Sequence, residues 1–189
     1  MASIEIRSAA LPELYLQTIS VDDANETYVE WLNDPHINQY LETHFYPQNI
    51  DSIVEFIKSM VANPNEHLFS IRMQADNKHI GNIKVGGINT AHSLGEVSLF
   101  IGDKSAWGKG FATQAIQLIS RYSLEKLQLR KLIAGAYKPN IGSTRAFVKA
   151  GYCQDGILQN HYLLNGEPCD LIQVCMFKEQ VEQLPEINL

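Results

Sequence analysis

"SAWGKGFATQAI", residues 105–116, sets two glycines around a lysine and then passes into a run of helix formers. Glycine loses more conformational freedom on ordering than any other residue, so two this close ask for a reason. The residues alone leave two readings open. Either the glycines end a turn, or the backbone there comes very near a ligand. Amides at a helix N-terminus have no intrahelical partner, and the helix dipole favours an anion. The second reading therefore points to a phosphate, with Lys109 adding charge at the rim. The named phosphate motifs do not fit. Five residues separate Gly102 from Gly108 instead of four, and Lys109 is followed by Gly110 where a Walker A loop needs Ser or Thr. A dinucleotide fingerprint needs a third glycine where Thr113 stands.

Outward from this stretch the pattern is regular. "GEVSLFIG" (95–102) reads as the strand leading in, and 110–126 as a helix with Phe111, Ala115, Ile116, Ile119 and Tyr122 on one apolar stripe. Gln114, Gln117, Arg121 and Glu125 lie away from that stripe. "KLIAGAY" (131–137) is a short buried-type strand, and "NIGSTRAFVKAGY" (140–152) a short helix ended by Gly151. Upstream, 13–19 reads as a strand, 24–34 and 50–62 as helices, and 67–73 and 79–88 as strands about a turn at "QADNK". Downstream, 155–164 and 169–178 are strands about "NGEP". Hairpins on both sides of one strand–helix–strand crossover predict a mixed α/β sheet of about seven strands and about four helices, not a doubly wound parallel fold.

The chain has 189 residues, 45 % apolar and 19 % charged, with a formal net charge of -6. One domain over 1–189, with its core at 13–178, is the expectation. The acidic balance argues against nucleic acid, which needs a basic surface. Cys153, Cys169 and Cys175 make an odd count without metal-ligand spacing, so neither a disulfide framework nor a metal site is expected. The N-terminus has no apolar signal core and no run reaches membrane-span length, which predicts a cytoplasmic protein without a membrane partner. A homodimer stays open.

The segment "WGKGFAT" (107–113) and the segment "NIGSTRAFVKAGY" (140–152) together resemble the GNAT superfamily of acetyl-CoA-dependent N-acetyltransferases. The superfamily's pyrophosphate loop is Q/R-x-x-G-x-G/A. Trp107 holds the first position here, Gly110 the central glycine and Ala112 the last small residue. Trp107 departs from the superfamily pattern but is similar to the "WGKGYA" form of the RimJ/RimL-like branch, the ribosomal-protein-alanine acetyltransferases. The resemblance implies the GNAT-like fold, in which strand 95–102 splays from strand 131–137. It favours the phosphate reading of the opening stretch. It further implies acetyl-CoA as co-substrate, with the diphosphate on the amides of Trp107, Gly108, Lys109, Gly110, Phe111, Ala112 and Thr113. The pantetheine arm would lie along the main chain of Leu99, Phe100 and Ile101, with Asn140, Ser143 and Arg145 contributing further contacts. The acceptor would be a primary amine, on a protein N-terminus or a small molecule, attacking directly in a ternary complex.

Such a transfer needs a base for the amine, a donor for the developing oxyanion and a proton for the departing thiolate. A backbone amide of 99–101 is the oxyanion donor that the resemblance implies. Glu96 is the first candidate base, since it lies on the strand bordering the cofactor; the plain alternative is a solvated residue alternating with Val97. Glu42, in "NQYLETHF" (38–45) beside Tyr40 and His44, is the second. Many superfamily members carry a tyrosine acid where this chain has Phe147, which leaves Ser143 or water for that step, or a thiolate that departs unaided. His161, Tyr162 and Asp170 either shape the acceptor pocket or are edge-strand polarity. Trp31 reads as core by its helical spacing. A catalytically silent acetyl-CoA sensor, and an enzyme of the same fold acting on amino sugars, polyamines or antibiotics, remain the alternatives.

Overall fold

The computed structural model describes residues 3–189, and all its strands join one eight-stranded sheet. The strands are β1 (Glu5–Ile6), β2 (Leu14–Thr18), β3 (His67–Met73), β4 (His79–Asn89), β5 (Leu94–Ile101), β6 (Lys131–Tyr137), β7 (Cys153–Leu164) and β8 (Glu167–Phe177), in the order β1-β2-β3-β4-β5-β6-β8-β7. Every neighbouring pair is antiparallel except β5 with β6. That single parallel pair is the one joined by a helical crossover, as a parallel connection requires.

Five α-helices occur among the described residues: α1 (Glu26–Asn33), α2 (Pro35–Asn38), α3 (Ile50–Ala62), α4 (Phe111–Glu125) and α5 (Ile141–Lys149). The mixed sheet with one parallel pair is as expected, but it has eight strands instead of about seven, and five α-helices instead of about four. The added strand, β1, has two residues and is too short to show alternation. The added helix, α2, starts at Pro35, the residue that ends α1. Proline lacks an amide and is tolerated in a first turn, and Asp34 caps that turn by accepting from the His36 amide at 2.9 Å. The β7–β8 turn is also tighter than "NGEP". Asn165 and Gly166 take φ of 53° and 84°, the pattern of a two-residue type I′ hairpin, so β8 begins at Glu167.

The sheet buries both faces. On one, α4 packs Phe111, Ala115, Ile116, Leu118 and Ile119 against Ile71, Ile83, Val85 and Val97. On the other, α1 and α3 bury Tyr28, Trp31, Leu32, Ile53 and Ile57 with Leu68 and Phe100. Alternation along β5 thus sends Val97 to α4 and puts Glu96, Ser98 and Phe100 on the α1/α3 face. One expectation fails on α4: Arg121 is buried, not on an exposed face. The C-terminal segment 178–184 covers it, and its guanidinium donates to the carbonyls of Val181 and Leu184 at 2.9 and 3.2 Å. Cys153 and Cys175 are paired across β7 and β8, with free thiols 3.7 Å apart. Among the described residues no helix is long and apolar enough to cross a membrane.

Trp31 sits directly on Gly102, at the end of β5. A Cβ on Gly102 would come within 2.1 Å of the indole, near the base of the ring. Gly102→Ala is therefore expected to destabilise the fold by about 1–3 kcal/mol through overpacking. Chemical denaturation of the two proteins checks this, and an unchanged midpoint would mean that Trp31 yields freely.

Candidate active site

Residues 105–116 form a turn and the start of α4. Gly108 and Gly110 take φ of 73° and 84°, where L side chains are strained. A Cβ on either would meet nothing within 4 Å, so the chain's own packing does not demand glycine there. Gly110 is the N-cap of α4 and supplies no side chain to bond the first amides; the first intrahelical bond comes from Gln114 back to Gly110 at 3.1 Å. The amides of Phe111, Ala112 and Thr113 are thus presented outward. Phe111 itself is buried in the core, so only its main chain faces the loop. Trp107 is half exposed and donates its indole N–H to the carbonyl of Ile101 at 2.9 Å, tying the loop to the end of β5. Lys109 is exposed. Thr113 donates to the carbonyl of Ala146 at 3.4 Å, joining α4 to α5.

Beside this loop the parallel pair parts. β5 and β6 are paired only from Leu94, Gly95 and Glu96 to Lys131, Leu132 and Ile133. Beyond that, Leu99, Phe100 and Ile101 pair on one side with β4, and Ala134 to Tyr137 pair on the other side with β8. Main chain on the facing edges therefore opens toward the space between them.

Two carboxylates and three tyrosines gather on the α1/α3 face of this opening. Tyr162 stacks on Tyr137 with centroids 4.9 Å apart, and Tyr40 lies 5.8 Å from Tyr137. Burial, followed by the charges of Glu42 and Glu96, raises the Tyr162 phenol above its ordinary range. Burial and then the neighbouring Glu42 carboxylate do the same to Tyr137. The charge of Glu42 thus reaches both phenols and that of Glu96 reaches Tyr162, although the two carboxylates come from segments more than fifty residues apart. A bulge in β7 brings Tyr162 there. Residues 159–161 stand opposite Asp170 alone, and Asp170 accepts from the Asn160 amide at 3.0 Å and from Lys138 at 2.9 Å. Bulges of this kind re-aim side chains beside functional sites.

The other expected residues are placed less closely together. Asn140 caps α5, its side-chain oxygen accepting from the Ser143 amide at 3.2 Å. Ser143 is half-buried and Arg145 exposed on the first turns of α5, and no hydrogen bond joins Ser143 to Glu42 or Glu96 among the described residues. Phe147 is buried edge-on against Tyr152 and is core. His44 is tied to the carbonyl of Leu41 through its ring nitrogen.

Sequence reasoning did not single out Tyr137 or Asn82. Alternation in "KLIAGAY" carries the signal for the first, placing Tyr137 on the face of Ile133 at the strand's free end. Asn82 lines a cleft of about 300 Å³ that runs from Glu42, Ser98 and Leu99 in under α1 and α3. Clefts of this size hold small ligands.

The profile of the acetyltransferase (GNAT) domain matches residues 13–152. The chain is 26 % identical over 163 residues to the probable N-acetyltransferase YjcK of Bacillus subtilis, covering 81 % of this chain and 87 % of that protein. It is 29 % identical over 108 residues to the spermidine N(1)-acetyltransferase of Escherichia coli, 57 % of this chain and 58 % of that one. The spermidine N-acetyltransferase of Vibrio cholerae, solved in complex with CoA and spermine, superposes with a TM-score of 0.81 at 22 % identity, covering 90 % of this chain and 98 % of that one. With the uncapped α4 start, the parted strand pair and a profile match over most of its length, the chain belongs to the GNAT acetyltransferase family.

Proposed function

We propose that the chain transfers an acetyl group from acetyl-CoA, the family's acetyl donor, to a primary amine bound on the α1/α3 face. One observation carries the reading: the parallel pair parts beyond Glu96, directly between the uncapped start of α4 and the cluster of Glu42, Glu96, Tyr137 and Tyr162. Outward amides at the start of α4, preceded by glycine at two left-handed positions, fit a diphosphate, whereas the Trp107 amide, also expected there, is already spent on the Lys104 carbonyl at 3.2 Å. The free edge formed by Leu99, Phe100 and Ile101 would pair with the amide-bearing pantetheine arm and supply the oxyanion donor. Asn140, Ser143 and Arg145 would border that arm at the start of α5.

An ammonium entering on the α1/α3 face meets Glu42 and Glu96. Glu96 takes the proton, and the free amine attacks the thioester carbonyl. The C–N bond forms, the C–S bond breaks, and CoA leaves as the thiolate, which takes up the proton that the nitrogen sheds as it becomes an amide. Tyr137 and Tyr162, held protonated by their surroundings, donate hydrogen bonds at the site and do not act as bases. The Trp107-Gly-Lys-Gly form of the loop supports the RimJ/RimL-like branch, and with it a protein N-terminus or small amine as acceptor. Polyamine acetylation is the second reading; the names of relatives favour it.

Acetyl-CoA at 100 times its Kd is expected to stabilise the chain by about 2.7 kcal/mol. That corresponds to a Tm rise of about 5–10 °C at this chain length. Thiol release with an amine panel then reports transfer. A Tm indifferent to saturating acetyl-CoA would rule out the reading. A Tm rise with no thiol released on any amine would leave a sensor.

A further inference from the structure

We infer that the acceptor carries its amine on an uncharged, largely apolar body with one oxygen at its far end, and that this body occupies the cleft beneath α1 and α3. The inference rests on the acetyl-transfer reading above and names the substrate class for that site. The cleft is continuous with the reacting face, since Glu42, Ser98 and Leu99 belong to both. Its inner walls are the apolar side chains of Leu32, Leu41, Ile53, Phe56 and Phe100.

Two polar atoms inside have no partner. Asn82 is 3 % exposed, its carboxamide oxygen accepts from His79 at 2.8 Å, and its Nδ2 faces the Tyr28 phenol at the cleft wall without closing a hydrogen bond of normal geometry among the described residues. The Thr43 hydroxyl is likewise buried and unpaired. A buried donor without an acceptor carries its desolvation cost uncompensated, and a ligand oxygen would offset it. Asn82 Nδ2 can only donate, so it calls for an oxygen acceptor and not for a second ammonium.

Charge points the same way. The ionised side chains lining the cleft are Glu42 at the mouth and Lys84, and Lys84 is paired with Glu66 at 3.1 Å. Glu42 answers the one ammonium that reacts. A second or third ammonium, as on a polyamine, would enter an apolar space that holds no further carboxylate and would face Lys84. Desolvating such a charge without a partner is strongly unfavourable.

The test measures CoA release by the full chain with acetyl-CoA and five amines: tyramine, 2-phenylethylamine, isoamylamine, 1,4-diaminobutane and spermidine. The three apolar monoamines are expected to exceed the two polyamines in kcat/KM by at least about tenfold. Tyramine should exceed 2-phenylethylamine by about 2–13-fold, the range of one neutral hydrogen bond. Phe56→Glu, on the partly exposed wall of α3, adds a carboxylate to the cleft and should shift the preference toward the diamine while the Tm rise with acetyl-CoA persists. Equal or greater kcat/KM for spermidine in the unmodified chain would overturn the inference and leave acetyl transfer standing. If all five amines are inert while acetyl-CoA still raises Tm, the inference falls, and CoA release with a peptide bearing a free N-terminus then shows whether acetyl transfer stands without it.

Discussion

Gly110→Asp is expected to remove acetyl-CoA binding from a chain that still folds. The residue caps α4 at φ 84°, and a Cβ there meets no protein atom within 4 Å. Aspartate is among the residues that tolerate the left-handed region best, so the folding cost stays near the 1–2 kcal/mol typical of that conformation. Binding is a different matter. The new carboxylate stands where outward amides would meet a diphosphate. Two unit charges 4 Å apart repel by about 4 kcal/mol at an effective dielectric near 20, or about 10³-fold in Kd. Gly110→Ala separates the two effects, since it carries at least as much backbone strain without the charge, and it should retain much more of the affinity. Calorimetric titration together with the Tm rise measures both variants. Ordinary acetyl-CoA affinity in Gly110→Asp would place the phosphates somewhere other than the start of α4.

That prediction starts from a residue visible in the sequence, and the reason it is visible is local. Glycines before a helix, hairpin turns, and a change of period from 2 to 3.6 are short-range features, so the element order around β5, α4, β6 and α5 follows from them. Where elements were missed, the signal was too short, as in β1 with its two residues, or masked, as in α2 behind Pro35. Arg121 was misplaced for another reason: a polar residue on a helix reads as exposed unless a distant segment is known to cover it, and here Val181 and Leu184 do so. The site divides along the same line. Glu96 and Glu42 were legible as carboxylates near strand and loop ends. Their convergence on Tyr137 and Tyr162 depends on sheet order and on the β7 bulge at Asp170, which no local pattern encodes. The cleft beneath α1 and α3 is more hidden still. Asn82 alternates within β4 like any strand residue, and only the packing shows that one of its polar atoms lacks a partner.

The convergence of the two carboxylates supports the second large effect. Glu96→Gln is expected to lower kcat by about 10²–10⁴-fold, the usual contribution of a positioned base. Glu42→Gln should act mainly on KM, because Glu42 stands at the mouth of the cleft, where it meets the incoming ammonium. A terminal α-amine has a pKa of about 8, so a growing fraction reaches the site already neutral as pH rises. Glu96→Gln should therefore recover activity with pH more steeply than the unmodified chain, since its remaining route depends on amines deprotonated in solution. A structural role for Glu96 would not produce that difference in slope. Tyr137 and Tyr162 bring no such pH dependence, because burial and then Glu42 push both phenols upward, with Glu96 adding to the effect on Tyr162, and they stay protonated across the working range. Removing both carboxylates together should cost less than the sum of the single losses, as expected for groups that share one ammonium. Steady-state kinetics from pH 6 to 9 on the two single variants and the double variant measure all of these. If Glu96→Gln kept its kcat across that range, the proton would leave by water alone, and the carboxylates would serve only to gather the amine.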